Sequence, residues 1–418
     1  MKKCVLGDVA DVKVSGVDKK TNEGEIPVRL CNYTDVYYNW AVTSEKYDGL
    51  MRASAKPDEI SKFKIKKGQV ALTKDSETRD DIGIPTYIAD DFDDVLLGYH
   101  CALISPDTKE LSGKYLNALL RTKYVKDFFG NNAGGSGQRY YLSDSSIKEL
   151  PLFLPDITVQ RKIGTFLSTI DRKIALNRKR IATLEAMAKE IYDYWFVQFD
   201  FPDAHGRPYK SSGGAMVYNP DLKREIPKGW EVGVLPDIVE FTNGLPCQRF
   251  RPRPGERSLP VLKIKEMHDG ITDQTERVKE DIPERFKVYD GDIIFSWSAS
   301  LEVMVWFYGK AGLNQHIFKV TEKDGWPIHF SFFLLSDYVA IFRRIAESRK
   351  TTMGHITSDH LRLSTVPLPQ HKVVVEKFEE IVRPIFDALV NAAHEVSNLV
   401  NMRDTLLPLL MNGQVKVG

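Results

Sequence analysis

The sequence predicts an α+β fold in which two similar mixed α/β globules are separated by two long helices, packed as an antiparallel coiled coil, with a pseudo-two-fold internal repeat. Two observations predict this fold. Apolar residues recur with heptad spacing at two places, and the remaining sequence repeats one plan of short motifs. The predicted regions are a first globule over residues 1–154, a central long helix over 155–199, a linker over 200–229, a second globule over 230–369, and a distal long helix with a tail over 370–418.

The central helix is predicted from apolar residues that recur at alternating steps of four and three. Pro155 precedes it, and Asp156 or Thr158 can cap its first turn. A helix of roughly 40 residues is on the order of 60 Å long and needs a partner. The alternative is a long core helix of one globular domain. The predicted seam residues are Ile163, Leu167, Ile170, Ile174, Asn177, Ile181, Leu184 and Ile191.

The distal helix repeats the same spacing and is the predicted partner. Arg403 interrupts its seam, and Pro384 is expected to kink the helix or to force an irregular turn. Asn177 faces the seam, where a paired amide would fix the register; a solvated helix edge is the alternative. The predicted seam residues of this helix are Phe378, Val382, Ile385, Leu389, Val396, Leu399 and Leu406.

An internal repeat organises the rest of the chain. Leu6–Val9 (LGDV) matches Leu235–Ile238 (LPDI), and Lys64–Val70 matches Lys287–Ile293. The offset stays between about 214 and 229 residues and the order is kept, which chance rarely gives. Each copy is therefore expected to contain a globule followed by a long helix.

Each predicted globule contains one pronounced helix followed by a polar loop. In the first copy, Ser112 precedes a helix that is expected to end at Gly130, before an irregular loop over 130–139. In the second copy, a helix over 330–345 precedes a loop over 347–355. The linker is rich in Gly, Pro and Ser, and we expect it to be largely irregular.

Composition excludes few classes of protein. With 418 residues, two to four domains are expected. The 58 basic and 57 acidic residues give a formal net charge of +1, so no strong overall field marks a nucleic-acid binder, although local basic faces can bind DNA. The four cysteines have no zinc or disulfide spacing, and neither a signal peptide nor a membrane span is recognisable. A cytoplasmic protein without membrane attachment is expected.

No catalytic residue, metal site or cofactor is predicted. Gly130 and Gly135 have the spacing of a phosphate-binding loop, but the required lysine is missing. Asp156 and Asp171 resemble a nuclease pair only in spacing, because the second lies on the predicted coiled coil. His100 and its repeat match His316 are expected to be structural histidines beside apolar strands. The sequence therefore points to a binding module.

Loops at matching places in both copies carry groups that suit DNA. Planar donors and acceptors read base edges, and cations bind phosphates. Tyr37, Tyr38 and Trp40, on an expected exposed turn, could stack on the ligand. Ordinary solvated surface charge is the alternative for each group. The candidate DNA-binding residues are Lys74, Arg79, Asn131, Asn132, Gln138 and Arg139 in the first globule, and Arg249, Arg251, Arg253, Arg349 and Lys350 in the second.

Three motifs around the linker carry a resemblance to a known family. They are Tyr194–Pro202 (YWFVQFDFP), Pro208–Gly214 (PYKSSGG) and Ile226–Val232 (IPKGWEV). With the repeat, they make the chain resemble the specificity subunit of type I restriction–modification systems. The resemblance implies two target-recognition domains that each read half of a bipartite, asymmetric site in double-stranded DNA.

The same resemblance implies partners and a division of labour. Two methyltransferase subunits would dock on the long helices, supply S-adenosylmethionine and methylate adenine N6. Restriction/translocase subunits would join through that complex, and the chain itself would be non-catalytic. The family has no short recognition motif, so no base contact carries over. A coiled-coil protein–protein scaffold without direct DNA readout remains the alternative.

Overall fold

The computed structural model describes residues 2–272, 274–298, 300–348, 356 and 358–417, without the side chains of 345–348, 358 and 359. Two compact units divide the chain: Met1–Ala175 with Leu399–Gly418, and Leu176–Asn398. Both borders fall inside long helices, so each unit combines one globule with a part of each helix. The domain boundaries expected at residues 154, 199, 229 and 369 stay predictions.

The first globule contains thirteen strands and six short helices within its described residues. The strands are β1 (Lys2–Val5), β2 (Ala10–Val14), β3 (Ile26–Cys31), β4 (Ala41–Val42), β5 (Met51–Ala55), β6 (Val70–Thr73), β7 (Asp75–Ser76), β8 (Pro85–Ile88), β9 (Val95–Leu97), β10 (Cys101–Pro106), β11 (Gly134–Ser136), β12 (Arg139–Tyr141) and β13 (Pro151–Leu154). The helices are α1 (Leu6–Val9), α2 (Tyr33–Tyr37), α3 (Pro57–Phe63), α4 (Gly113–Leu119), α5 (Lys123–Asn132) and α6 (Asp144–Lys148).

Two sheets form the body of this globule. The larger has the strand order β2-β10-β6-β8-β4, and the smaller has the order β5-β3-β9. The central strand β6 is buried on both faces, since all of Val70–Thr73 is inaccessible. Helices α4 and α5 close one side of the core, where Tyr115 and Phe129 are buried. A separate sheet, β11-β12-β7, lies at the end of β6.

The second unit begins within α7 (Ile157–Tyr192) and ends within α12 (Val373–Met411). Its strands are β14 (Met216–Asn219), β15 (Arg224–Pro227), β16 (Trp230–Val234), β17 (Val239–Asn243), β18 (Ser258–Leu262), β19 (Arg277–Lys279), β20 (Lys287–Val288), β21 (Ile293–Ser296), β22 (Glu302–Val305), β23 (Ala311–Leu313), β24 (Ile317–Glu322) and β25 (Thr365–Pro369). Its shorter helices are α8 (Leu235–Ile238), α9 (Ile264–Asp269), α10 (Ile328–Ser348) and α11 (Ser358–Arg362).

Strand connectivity confirms the internal repeat. The order β2-β10-β6-β8 of the first globule matches β17-β24-β21-β22 of the second, and β5-β3-β9 matches β19-β18-β23. The match extends to direction, because β3/β9 and β18/β23 are both parallel pairs while β3/β5 and β18/β19 are antiparallel. Two-stranded pairs β1/β13 and β16/β25 also correspond. The two globules are therefore built on one topology.

The two long helices pack antiparallel. In the first unit, Ile163 and Leu167 near the start of α7 share a core with Leu407 and Leu410 near the end of α12. In the second unit, residues near the end of α7 share a core with residues near the start of α12, among them Tyr192 and Phe378. The N-terminal part of each helix thus pairs with the C-terminal part of the other.

The seam residues differ in burial along the helices. Ile163, Leu167, Ile170, Ile174 and Asn177 are buried, whereas those nearer the end of α7 are partly exposed: Ile181, Leu184 and Ile191. On α12, Phe378, Val382 and Leu389 are buried, and Ile385, Val396, Leu399 and Leu406 are partly exposed. The Asn177 amide donates to Glu395 Oε2 at 2.8 Å, so the seam amide is paired.

Several local expectations were wrong. The helix expected from Ser112 to Gly130 is divided into α4 and α5, because Thr122 turns the chain with its N–H and hydroxyl both donated to the Leu119 carbonyl. The polar loop after it is the hairpin β11/β12. The linker is largely irregular, as expected, apart from the hairpin β14/β15. Helix α12 continues through Pro384 without an irregular turn, and the kink expected as the other outcome stays a prediction.

The resemblance motif Tyr194–Pro202 is an aromatic core. A π-helical turn over Asp193–Val197 ends α7 and directs Trp195 and Phe196 inwards, against Phe378 of α12 at ring-centroid distances of 5.9 and 5.0 Å. Phe199 and Phe201 then pack on Trp230 at the start of β16. These residues therefore fix how the chain leaves the helix and enters the second globule.

Candidate nucleic-acid interface

In the first globule, a polar face is built on the small sheet β11-β12-β7. Tyr141 pairs with Asp75 and Tyr140 with Ser76, so the hairpin extends the chain that leaves the central strand β6. Gly137, with a φ of 71°, permits the tight turn between β11 and β12. The hairpin tip is exposed from Gly135 to Arg139.

The structure brings most of the predicted residues of this globule together. Gln138 and Arg139 are exposed at the hairpin tip, and Asn131 and Asn132 are exposed in the last turn of α5, which leads into it. The Arg79 guanidinium lies 5.1 Å from the centre of the Tyr140 ring. Exposed amides and guanidinium groups thus converge on one face, as base and phosphate contacts require.

Lys74 belongs to this face but is already engaged. Its side chain is only 12% exposed, and its Nζ lies 2.8 Å from Asp75 Oδ2 and 5.1 Å from the centre of the Tyr99 ring. The same carboxylate oxygen lies 2.6 Å from Nδ1 of His100, whose side chain is 45% exposed. His100 lies between the apolar strands β9 and β10, as expected, and its ring belongs to a polar surface cluster with Asp75 and Lys74.

The aromatic residues divide into two groups. Tyr38 is 73% exposed, and its ring makes an edge contact with that of Tyr37 at 4.8 Å. Tyr37 donates its hydroxyl to Asp81 at 2.8 Å and has its pKa raised to about 12, chiefly by burial. The expectation that Trp40 is exposed was wrong. Its ring packs against the guanidinium groups of Arg121 and Arg403, at 4.5 and 5.4 Å.

A buried ionic network joins the first globule to the helices of the first unit. Asp171 of α7 is 7% exposed and bonds Arg403 of α12 at 2.9 Å. Burial raises the pKa of Asp171 to about 6, although Arg403 and Arg121 oppose this shift. Burial likewise lowers the pKa of Arg121 to about 10. Arg121 also donates to the carbonyl of Asn39, next to Trp40.

In the second globule, the predicted arginines form an exposed basic segment between β17 and β18. Arg249, Arg251 and Arg253 are all exposed. The segment begins beside the turn before β24, because Leu245 pairs with Asn314. Arg349 and Lys350 lie outside the described residues. The three exposed guanidinium groups of this segment could bind the phosphates of a polyanion.

The sequence reasoning missed several polar and aromatic residues that the structure places at these faces. In the first globule they are Asp75, Tyr99 and Tyr141. In the second, Trp297 follows β21 as Lys74 follows β6, and its ring centre lies 5.8 Å from that of the exposed His316. Leu142 bonds the Lys74 carbonyl, and Ile356 bonds that of Trp297. The repeat was the signal that could have identified these positions.

Within the described residues, neither a metal site nor a membrane-spanning helix is found. No group of three or more His, Cys, Asp or Glu side chains there could hold a metal ion. None of the helices in the same part of the chain is long and apolar enough to cross a membrane.

The chain is similar to known proteins in sequence and in fold. The model of the type I restriction modification DNA specificity domain matches residues 1–186. The chain is 27% identical over 317 residues to the type I restriction enzyme MjaIX specificity subunit of Methanocaldococcus jannaschii, covering 73% of this chain and 69% of the relative. It is 22% identical over 409 residues to the HindI specificity subunit of Haemophilus influenzae, covering 85% and 88%.

A solved structure has the same fold. The S subunit of a type I restriction-modification system from M. genitalium aligns with a TM-score of 0.58 and 16% identity, over 98% of this chain and 95% of that chain. At this identity the likeness concerns the fold. With the family-model match to residues 1–186 and the two relatives, the chain is similar over most of its length to specificity subunits of type I restriction–modification systems.

Proposed function

We propose that this chain is the DNA-reading component of a type I restriction–modification complex, with one half of a bipartite, asymmetric site read by each globule. The first reading domain is residues 1–154 and the second is residues 230–369. The observation that carries the proposal is the polar face on the sheet β11-β12-β7, where the Gln138, Arg139 and Arg79 side chains are exposed around aromatic rings. Arginine and amide side chains are the usual readers of base edges.

The repeated topology supports two readers. Because both globules use one strand order, the chain leaving the central strand, β6 or β21, occupies matching places in each. The residues at these places differ: Lys74 and Asp75 in one globule, Trp297 and Ser298 in the other. Different side chains on one scaffold suit two different half-sites, and hence an asymmetric target.

The chain acts through partners in this proposal. It carries no catalytic residue or cofactor of its own, and two methyltransferase subunits dock on α7 and α12. Those subunits supply S-adenosylmethionine and methylate adenine N6, and restriction/translocase subunits join through them. Partly exposed apolar side chains on these helices suit such docking, among them Leu176, Met187 and Ile381. The complex works in the cytoplasm, where its DNA substrate is.

The alternative is a scaffold that joins partners through the helices and leaves DNA untouched. Binding-site selection from random double-stranded DNA, with the chain assembled on its methyltransferase partner, separates the two. The proposal expects two short conserved blocks separated by a fixed gap. An assembled complex that retains no sequence preference supports the scaffold instead. Methyl transfer by the isolated chain would contradict the non-catalytic role.

A further inference from the structure

The first globule holds a histidine in an unusual conformation. His100 follows β9 in the turn to β10, and its φ of 74° lies in the left-handed region. Residues with a Cβ rarely adopt this conformation, and it persists only where surrounding contacts fix it. Two contacts do so here: the His100 carbonyl accepts the N–H of Lys74 at 2.9 Å, and the ring is bonded by Asp75.

The Asp75 carboxylate determines where the imidazole carries its proton. Asp75 Oδ2 lies 2.6 Å from His100 Nδ1 and 2.8 Å from Lys74 Nζ. A carboxylate oxygen beside a lysine ammonium accepts hydrogen bonds and has no proton to donate. The Nδ1 atom of His100 is therefore the protonated nitrogen. In the neutral ring, Nε2 then presents a lone pair.

That lone pair is available to a ligand. The His100 side chain is 45% exposed, and within the described part of the chain Nε2 has no hydrogen-bond partner. Lys74 is not available in the same way, since its side chain is 12% exposed, paired with Asp75 and close to the Tyr99 ring. The charges of Lys74 and Asp75 balance, and when the ring is neutral the exposed polar atom of this cluster is an uncharged acceptor.

The cluster lies on the face already described. Asp75 is the first residue of β7 and pairs with Tyr141 of the hairpin, two residues from Arg139. A ligand that reaches the hairpin therefore comes close to the imidazole. Its repeat match, His316, is also exposed but stands beside Trp297 and has no matching aspartate, because Ser298 takes the place of Asp75. The acceptor arrangement belongs to the first globule.

We propose that His100 is a specificity-determining residue, whose Nε2 accepts a hydrogen bond from the exocyclic amino group of a cytosine or an adenine in the half-site read by the first globule. These two amines are the hydrogen-bond donors that bases present in the major groove. Asp75 is the positioning residue that holds the ring and its tautomer. The proposal rests on the proposed DNA-reading function.

The test uses the chain assembled with its methyltransferase partner. Binding-site selection from random DNA is performed with the wild type, His100→Ala and the matched control His316→Ala. In His100→Ala, preference for cytosine or adenine at a single base pair of one half-site should fall about tenfold, with the other half-site unchanged. His316→Ala should leave that base pair unchanged, and the base found there distinguishes the two amines.

Variants of Asp75 test the positioning role. Asp75→Ala should relax the same base pair, whereas Asp75→Asn should retain part of the preference, because the amide oxygen still accepts the Nδ1 proton. If His100→Ala does not assemble, His100→Asn replaces it. Asparagine tolerates a positive φ but is too short to place an acceptor at the Nε2 position, so it should lose the same preference.

Two outcomes would overturn the role of His100. In the first, all base preferences are unchanged. In the second, all sequences lose affinity equally and the salt slope falls by about one, which indicates a phosphate contact. A wild-type complex without sequence preference overturns the proposed function itself, and the role of His100 with it. The two kinds of failure can be told apart, because the loss of the proposed function is already seen with the wild-type complex.

Discussion

At the scale of single residues, the polar side chains on this face of the first globule are either exposed or already paired. Arg139 and Gln138 are exposed at the hairpin tip, whereas Lys74 is paired with Asp75. Free groups can read bases, and we expect Arg139→Ala and Gln138→Ala each to weaken specific binding by about 1–3 kcal/mol and to relax one half-site. Titration of the assembled complex with specific and unrelated DNA measures both effects.

A matched control and a contrasting variant sharpen this prediction. Lys109 is exposed in the turn before α4. The neighbouring residue in that turn, Thr108, accepts a hydrogen bond from Arg161 of α7, and Lys109→Ala should leave DNA affinity and base preference unchanged. Arg251→Ala in the second globule should weaken binding to all sequences alike and lower the salt slope by about one, if it meets a phosphate. Equal behaviour of Arg139→Ala and Lys109→Ala would contradict the reading role.

Asp171 provides a prediction about pH. Its pKa is raised to about 6, chiefly by burial, while an unfolded chain has an aspartate pKa near 3.9. The folded state therefore binds a proton between about pH 4 and 6 that the unfolded state does not. This contribution to stability is complete below about pH 4 and is lost as the pH rises through 6, a change of up to about 3 kcal/mol.

Asp171→Asn removes this titration and keeps an oxygen that can accept from Arg403. Relative to the wild type, the variant should gain unfolding free energy as the pH rises from 4.5 to 7.5. Chemical denaturation at both pH values measures the difference. Asp404→Asn is the control, because Asp404 bonds the same arginine from an exposed position. A difference that is independent of pH, or that falls as the pH rises, would show that burial does not dominate at Asp171.

Sequence alone indicated the exposed candidate residues more readily than the engaged ones. Polar loops at matching repeat positions indicated Gln138, Arg139 and Arg79, because loop position and residue type suffice for that inference. The sequence could not predict that Lys74 pairs with Asp75 or that the Trp40 ring packs inside the globule, because both depend on tertiary contacts. Trp40 packs on Arg121 and Arg403, and Arg403 is 363 residues away in the chain (403 − 40).

At the scale of elements, the heptad pattern predicted the long helices well because it repeats one physical constraint over many turns. Local sequence signals, such as helix caps and glycines, predicted the shorter elements less well. Ser112 to Gly130 reads as one helix, yet a single threonine divides it, and glycines in a polar stretch read as a loop although they form β11. Hairpin pairing with the distant β7 decides the second case.

The pair formed by Asn177 and Glu395 tests whether a polar contact fixes the helix seam. Asn177 is buried and donates to Glu395 at 2.8 Å. We expect Asn177→Ala to lower the free energy of local opening by about 1 kcal/mol, because the buried bond is lost. Hydrogen–deuterium exchange of α7 and α12 in the second unit measures this opening.

Glu395→Gln serves as the conservative variant, since its amide oxygen can still accept from Asn177. It should cost less than Glu395→Ala, and the double variant with Asn177→Ala should reveal the coupling between the two residues. Additive effects of Asn177→Ala and Glu395→Ala would mean that the contact carries no energy of its own and that the seam is fixed by its apolar residues.

At the scale of the whole molecule, the repeat was visible in the sequence from short motifs that recur in the same order. Motifs such as Leu6–Val9 and Leu235–Ile238 keep their spacing because both form the short helix before the first strand of a sheet. The relation between β7 and the hairpin could not be transferred to the second copy, where residues 349–355 lie outside the described part. Topology is therefore the feature that the described residues of the two globules share.

We expect the length of the two long helices to set the gap between the half-sites. An insertion near Tyr192–Gln198 would disturb the aromatic core around Trp195 and Phe196. The better place is where the compact units divide, after Ala175 in α7 and after Asn398 in α12. One heptad added to both helices keeps the seam in register and lengthens each by about 10.5 Å. At 3.4 Å per base pair, the gap should grow by about three base pairs.

Binding-site selection or mapping of methylated sites with the double-insertion variant measures this gap. Both half-site sequences should stay unchanged, because neither the hairpin β11/β12 nor the basic segment between β17 and β18 is altered. A heptad in α7 alone is the control, since it shifts every seam contact beyond it and should abolish assembly or specific binding. If the double variant is active and keeps the original gap, the partner subunits determine the distance, and the two helices serve only to dock them.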